Sequence, residues 1–132
     1  MNQASPPFPV LFSNADILRR THELARELHA ALGDEPPCLI QVVEGARPFA
    51  RLLQQAFEGQ ALYDVRAKSY AGTESTGEVR IDLLGGLGRE VVAGREVVLI
   101  EDIVDTGRTI AALRQRFLEF GARRVRVASL LS

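Results

Sequence analysis

The stretch Val97-Val-Leu-Ile-Glu-Asp-Ile-Val-Asp-Thr-Gly-Arg-Thr109 decides how the chain is expected to fold. Its first four residues form a continuous apolar run, which is typical of a strand buried on both faces of a parallel sheet. The carboxylates Glu101 and Asp102 follow where that strand ends, and ligands of open α/β sheets bind at the carboxyl ends of strands. The stretch therefore predicts an α/β sheet with a polar binding site at one edge.

The residues after this strand predict a site for a phosphate group. Asp105-Thr-Gly-Arg-Thr109 forms a tight loop that leads into a helix, so its backbone N–H groups would surround an anion. Thr106 and Thr109 add hydroxyl donors, and Gly107 lets the backbone approach a phosphate closely. Because carboxylates so near a phosphate would repel it, sugar hydroxyls or a hard cation are expected between them. Taken singly, Asp-Thr-Gly is common turn chemistry, so the prediction depends on the whole string.

The rest of the chain alternates between helical and strand patterns. Apolar residues at helical spacing predict helices over 13–32, 46–57 and 107–120. Short apolar or alternating runs predict strands over 38–43, 62–70, 78–83, 96–100 and 125–131. This alternation implies right-handed crossovers and a mostly parallel sheet flanked by helices.

Three connecting segments carry their own patterns. Residues 1–9 form a proline-rich lead-in, and 71–77 form a polar loop on a flexible hairpin. Gly85-Gly86-Leu87-Gly88 is not a dinucleotide-binding fingerprint, because no helix signal follows it. A hairpin turn is the preferred interpretation of these glycines.

Length and composition limit the class of protein. The 132 residues predict one domain over 1–132, and 16 basic against 17 acidic side chains leave a net charge of −1. Neither nucleic acid nor a membrane is therefore expected as a partner. The N-terminus lacks the basic and apolar regions of a signal peptide, and Cys38 has no second cysteine to pair with, which favours a reducing cytoplasm.

Several other side chains are expected to have structural or solvated roles. Cys38 opens an apolar strand and is expected to be an inert buried thiol. His22 and His29 share a helix face without further metal ligands, so both are expected to be solvated. Three arginines form a small basic cluster that is expected to be solvated or to lie at a subunit contact: Arg123, Arg124 and Arg126.

Residues 97–109 resemble the phosphoribosyl-diphosphate motif of the type I phosphoribosyltransferases. Lys68-Ser-Tyr70, followed by Ser75-Thr-Gly77, resembles the flexible catalytic loop of the hypoxanthine-guanine phosphoribosyltransferases. The segments 10–12 and 125–131 fit the same subfamily, so the resemblance covers nearly the whole chain from Val10 onward. It implies a type I phosphoribosyltransferase core that joins a 6-oxopurine to 5-phosphoribosyl 1-diphosphate with Mg²⁺. It also implies cytoplasmic purine salvage by a homodimer or homotetramer.

The resemblance also implies roles for single residues at the end of the central strand. Glu101 and Asp102 would bind the ribose 2′- and 3′-hydroxyls and orient Mg²⁺. Asp105 would lie near purine N7 as a general base or electrostatic partner. The residues that would hold the 5′-phosphate, mainly through backbone N–H groups, are Thr106, Gly107, Arg108 and Thr109.

Two further segments are implied to contact the diphosphate. Ser69 and Tyr70, with Lys68 beside them, would close over it and exclude water while an oxocarbenium-like centre exists. The turn after the first core strand usually carries a basic residue and then glycine in this family. Here that turn is Glu44-Gly45, which places a negative charge beside a negative ligand, and Arg47 is expected to compensate.

A second difference from the family concerns the C-terminal hood. The chain stops at Ser132, where the purine-recognising lysine of the family would follow the last strand. These two differences leave two alternatives to the purine transferase. One is a non-catalytic binder of phosphoribosyl diphosphate or nucleotides. The other is a transferase for a different acceptor, such as a pyrimidine, although the Lys68-Ser-Tyr70 loop favours purines.

Overall fold

The fold follows the predicted alternation of helices and strands. The computed structural model describes residues 14–43, 47–69, 79–103 and 108–131. The helices are α1 (Asn14–Leu32), α2 (Arg47–Gln55), α3 (Arg89–Val92) and α4 (Arg108–Glu119). The strands are β1 (Cys38–Val43), β2 (Leu62–Ser69), β3 (Val79–Leu84), β4 (Glu96–Ile103) and β5 (Arg124–Leu131).

The five strands form a mostly parallel sheet in the order β3-β2-β1-β4-β5. β1 runs parallel to both β2 and β4, and β4 runs parallel to β5. β3 alone is antiparallel, and it pairs with β2 to form the base of the predicted hairpin. The four parallel strands therefore all end at one side of the sheet, which we name the carboxyl edge; the opposite side is the amino edge. The predicted α/β fold class is confirmed.

Helices cover both faces of the sheet. On one face, Leu28 of α1 and Leu53 of α2 pack with Leu39 and Ile100 of the central strands. On the other face, α4 and neighbouring segments pack against the alternate strand residues, which include Ile40, Val97 and Leu99. Successive side chains of a strand point to opposite faces, so a strand covered on both sides is apolar throughout. This is why the apolar runs of β1 and β4 predicted buried strands correctly.

The glycine-rich segment after β3 differs from its prediction. β3 pairs backward with β2, so Gly85-Gly86 does not join two paired strands in the way a hairpin turn does. Gly85 and Gly86 have φ angles of 60° and 87°, which glycine adopts without steric cost, and Gly88 precedes the short helix α3. The prediction missed α3 because its four residues are too few to show a helical period.

The amino edge carries a network of ion pairs around one buried carboxylate. The Glu96 side chain is 8% exposed and lies 3.2 Å from Arg126, 3.6 Å from Arg123 and 4.0 Å from Arg124. Arg123 also binds Glu35, and this hydrogen bond raises the pKa of the Arg123 guanidinium. The three arginines are thus partners of Glu96, a role that the sequence analysis missed.

Two further predictions concern single features of the fold. Cys38 is a free, buried thiol, as predicted, and burial raises its pKa above the ordinary value of 9.0. His29 is not simply solvated, because its Nε2 donates to the Ala56 carbonyl oxygen at 2.8 Å and its ring stacks on Phe57.

Across the described ranges, none of the helices has the length and apolar character needed to cross a bilayer.

Candidate active site

The carboxyl edge brings together segments that are far apart in the sequence. β2, β1 and β4 lie side by side in the sheet and all end there. The predicted diphosphate turn (44–45) follows β1, the predicted catalytic loop (70–77) follows β2, and the predicted phosphate loop (104–107) follows β4. These three segments therefore leave the sheet from neighbouring strands, and they themselves lie outside the described residues.

The end of β4 holds the two adjacent carboxylates. The strand was predicted to end at Ile100, but β4 continues to Ile103 and therefore includes Glu101 and Asp102. The strand is held in place there by β5, which pairs Glu101 with Ser129 and Ile103 with Leu131. Glu101 is half-buried, and one of its carboxylate oxygens is buried. This pairing with β5 holds the backbone of both acids in the sheet, which suits a site that must orient a ligand.

The helix α4 begins at the same edge. It starts at Arg108, directly after the segment 104–107, and its first turn includes the half-buried Thr109. Leu113 and Phe117 anchor the helix in the core. The N-terminus of a helix carries a partial positive charge and unpaired N–H groups, which together favour an anion. This geometry supports the predicted phosphate loop.

The last residues of β2 lie at the base of the hairpin. Lys68 pairs with Arg80, and Ser69 pairs with Val79 in the antiparallel ladder with β3. The Lys68 side chain is exposed. Tyr70 lies outside the described residues, so only the base of the predicted catalytic loop is placed.

The predicted site residues fall into two groups. Those that the structure describes, in their backbone at least, all lie at the carboxyl edge: Lys68, Ser69, Glu101, Asp102, Arg108 and Thr109. Those that lie outside the described residues are Glu44, Gly45, Tyr70, Asp105, Thr106 and Gly107. The topology therefore brings the described group to one side of the sheet, and the roles of both groups remain predictions.

The acids at the end of β4 fit a magnesium ion that is shared with a substrate. Mg²⁺ takes oxygen ligands and is usually held by one or two carboxylates together with substrate phosphates. Within the described residues, no group of three or more His, Cys, Asp or Glu side chains is placed to hold a metal. Glu101 and Asp102, which are adjacent in the sequence, are the predicted source of these oxygen ligands.

A polar pair on the sheet was not predicted from the sequence. The Gln41 Nε2 atom donates to Asp64 Oδ1 at 2.6 Å, although Gln41 lies within the apolar run of β1. A polar residue in the middle of a buried strand was the available signal. Its partner is set by the register between β1 and β2, which pairs Gln41 with Asp64.

The fold is that of a phosphoribosyltransferase. A sequence model of the phosphoribosyl transferase domain matches residues 11–132, and the chain belongs to this family. It is similar to proteins named hypoxanthine-guanine phosphoribosyltransferase. That of Streptococcus agalactiae serotype V is 38% identical over 123 residues, which is 92% of this chain and 67% of that protein. That of Streptococcus pyogenes serotype M3 is 33% identical over 123 residues, with the same coverage of both chains.

Solved structures agree with these relatives. A hypoxanthine phosphoribosyltransferase from Staphylococcus aureus superposes with a TM-score of 0.76 at 27% identity. The superposition covers 91% of this chain and 65% of that one. The chain thus spans about two thirds of the length of these relatives. The predicted resemblance to the hypoxanthine-guanine phosphoribosyltransferases is confirmed.

Proposed function

We propose that this protein is a purine salvage phosphoribosyltransferase. It joins a 6-oxopurine, hypoxanthine or guanine, to 5-phosphoribosyl 1-diphosphate, and gives a nucleoside monophosphate and diphosphate. The observation that carries this proposal is the pair Glu101-Asp102 at the carboxyl edge, with the start of α4 only a short loop away. The similarity to hypoxanthine-guanine phosphoribosyltransferases supports a purine as the acceptor.

Glu101 and Asp102 bind the sugar in this proposal. Their carboxylates accept hydrogen bonds from the ribose 2′- and 3′-hydroxyls, and charge-assisted bonds of this kind contribute about 1.5–3 kcal/mol each. The same carboxylates would hold Mg²⁺ together with the substrate, and the ion would supply charge neutralisation for the leaving group. The rigid end of β4 keeps both acids in register with the sugar.

The loop after β4 binds the 5′-phosphate and assists the purine. Backbone N–H groups of Thr106, Gly107, Arg108 and Thr109 surround the phosphate at the start of α4. Asp105 accepts a hydrogen bond or the proton from purine N7 while N9 of the same ring forms the bond to the sugar and the diphosphate leaves. One short loop thereby fixes both the phosphate and the acceptor relative to the sugar.

The hairpin on β2 protects the reacting centre from water. Ser69 and Tyr70, next to Lys68, close over the diphosphate, and water is excluded while the sugar carries positive charge. The turn Glu44-Gly45 also contacts the diphosphate through its backbone. The carboxylate of Glu44 opposes the charge of that ligand, so it lowers the affinity for phosphoribosyl diphosphate.

The proposal also covers the domain organisation, cellular location, oligomeric state and partners of the protein. Residues 1–132 form one phosphoribosyltransferase-like domain that works in the cytoplasm as a homodimer or homotetramer. Its partners are the two small-molecule substrates, and neither nucleic acid nor a membrane takes part. The near-neutral net charge of −1 supports this assignment.

An ultraviolet assay of turnover tests the proposed reaction. Hypoxanthine, guanine, xanthine and adenine are each offered with Mg²⁺ and phosphoribosyl diphosphate. We expect product with at least one 6-oxopurine, and a loss of about 10²–10⁴-fold in the Asp105→Asn variant, because general acid–base groups contribute factors of this size. Unchanged turnover in that variant would contradict the role of Asp105.

Glu44 favours one alternative function. A negative residue in the diphosphate turn weakens leaving-group stabilisation more than it weakens binding of the sugar and its phosphate. A non-catalytic binder of phosphoribosyl diphosphate would show saturable heat in calorimetry and no product with any base. A chain that shows neither binding nor product would contradict both functions.

A further inference from the structure

A polar groove lies between α2 and β2. It has a volume of about 470 Å³ and is lined by Gln41, Arg51, Gln54, Gln55, Leu62 and Asp64. We name it the glutamine groove. It begins beside the last turn of α2 and the first residue of β2, and none of its lining residues belongs to the proposed active site. Its volume lies within the range of about 300–1,000 Å³ that is typical of sites for small molecules.

The floor of the groove contains a buried acceptor that needs a donor. The Gln41 side chain lines the groove although the residue is only 6% exposed. Its Nε2 donates to Asp64, and a carboxylate only accepts, so the amide is oriented with Oε1 as an acceptor. No donor among the described residues reaches Gln41 Oε1. Buried polar atoms in folded proteins almost always have a partner, so this oxygen requires one that is not among the described residues.

The floor also carries a negative charge. Asp64 is half-buried, and its hydrogen-bond partner among the described residues is the neutral amide of Gln41. None of the ion pairs formed by described residues includes Asp64. A carboxylate and an amide oxygen side by side match a group with several N–H donors, such as a guanidinium or an amidine-like edge.

The wall of the groove has the opposite character. Arg51 and Gln55 are exposed on α2, and Arg51 contributes a guanidinium that suits a carboxylate or phosphate. Gln54 is fixed, because its Nε2 donates to the Gln60 carbonyl oxygen at 2.8 Å. The groove therefore offers acceptors on its floor and a cation on its wall.

We propose that the glutamine groove is a second binding site. Its ligand is a small polar molecule that has an N–H-rich edge at one end and an anionic group at the other. The N–H edge binds Gln41 Oε1 and the Asp64 carboxylate, and the anionic group binds Arg51. Two kinds of molecule have this chemistry: a guanine nucleotide, through its N1–H and 2-amino group, and free arginine, through its guanidinium. The proposal does not depend on the transferase activity.

Nuclear magnetic resonance tests the proposal on the full chain. Guanosine 5′-monophosphate, inosine 5′-monophosphate and L-arginine are titrated separately, and the side-chain amide signals of Gln41, Gln54 and Gln55 are followed. We expect saturable shifts of these signals with guanosine monophosphate or with arginine. Because the two compounds are titrated separately, the result shows whether the ligand is a guanine nucleotide or free arginine. Inosine monophosphate lacks the 2-amino group, so a nucleotide site is expected to bind it about tenfold more weakly.

Three variants assign the binding to the groove. Asp64→Asn is expected to weaken binding about tenfold or more, because it removes the charge from the floor. Arg51→Met is expected to weaken it as well, and this exposed position is tolerant of substitution. Asp34→Asn, which removes an exposed charge in the turn after α1, is the matched control and is expected to bind like the wild type.

Three results would overturn the proposal. The first is the absence of saturable shifts at the three glutamine side chains with every probe. The second is equal affinity in the wild type and in both groove variants. The third is a set of shifts confined to the carboxyl edge, which would show that the probes bind only at the proposed active site.

Discussion

The two ends of β4 each carry a glutamate, and the two are used differently. Glu96 begins the strand at the amino edge, where its side chain is 8% exposed and three arginines surround it. Glu101 lies near the other end of the strand and is half-buried at the carboxyl edge. One acid is neutralised by the protein itself, whereas we propose that the other meets the hydroxyls of a sugar.

The neighbouring strand explains this difference. β5 places Arg124 opposite Glu96 and Ser129 opposite Glu101. The arginines at and near the start of β5 therefore form ion pairs with Glu96, and we expect these ion pairs to stabilise the folded state. Ser129 carries no charge of its own, and the Arg20 guanidinium that lies near it donates to its carbonyl oxygen at 3.4 Å. The role of an acid at the end of a strand thus depends on which residue the register places beside it.

The largest effect is expected in the middle of β4, which supports both ends. Leu99 is fully buried, so Leu99→Ala is expected to lower the free energy of unfolding by about 2–5 kcal/mol through lost burial and a new cavity. Urea unfolding measures this change. Leu118→Ala, at a residue 47% exposed, is the control and is expected to change little. Equal effects of the two substitutions would contradict the assignment of Leu99 to the core.

At the carboxyl edge the expected effect is on activity. Glu101→Gln keeps the shape of the side chain and removes its charge, so we expect kcat/KM to fall about 10- to 100-fold. The free energy of unfolding is expected to stay nearly unchanged. Steady-state kinetics and urea unfolding of the same preparation provide the two measurements. A variant with normal kinetics and lowered stability would reverse the comparison between the two glutamates.

At the amino edge the expectation is the opposite. Glu96→Gln removes a buried charge that three arginines surround, and we expect a loss of stability of about 1–2 kcal/mol with unchanged kcat/KM. This loss is modest because Arg123 and Arg124 are 53% and 61% exposed and regain water. Glu90→Gln on the exposed face of α3 is the control, without a measurable change in stability. Reduced turnover in the Glu96 variant would show that the two ends are coupled.

The smallest effect concerns a second acidic group at the amino edge. Cys38 is paired with Val97 in the sheet, and burial raises the pKa of its thiol although Arg95 opposes the shift. The folded state thus binds the thiol proton more tightly than the unfolded state. Its contribution to stability is complete below the ordinary pKa of 9.0 and is lost as the pH rises above it.

Urea unfolding from about pH 7 to pH 10 measures this contribution. The stability of the wild type is expected to fall more steeply above pH 9.0 than that of Cys38→Ala, after the constant difference between them is subtracted. If the stabilities of the wild type and of Cys38→Ala change in parallel with pH, then burial does not raise the pKa of the Cys38 thiol and this prediction is wrong.

The sequence predicted the long elements well and the contacts between them poorly. α1, β1 and β4 were predicted because a long helical period and continuous apolar runs are local signals. The helix α3 was missed because a single turn has no period. The contacts of Glu96 with Arg124 and of Gln41 with Asp64 were missed because both depend on the pairing register between separate strands.

The candidate site was predicted from one continuous stretch. Glu101 and Asp102 were recognised because a buried strand leads directly into a polar loop, so the signal lies within a few residues. Topology then explains why the segments after β1 and β2 belong to the same edge. The glutamine groove had no such local signal, since its floor comes from two strands and its wall from a helix.

The central position of β1 has a consequence for how the protein is made. β1 lies between β2 and β4, and its partner in β4 begins more than fifty residues later, where Cys38 is paired with Val97. A ribosome synthesises β1 long before β4, and during that interval the backbone N–H and C=O groups on one edge of β1 have no partner strand. The growing chain thus exposes an unpaired strand edge, which can pair with other chains, until β4 has left the exit tunnel. Slower synthesis between these two strands is expected to favour aggregation over productive folding.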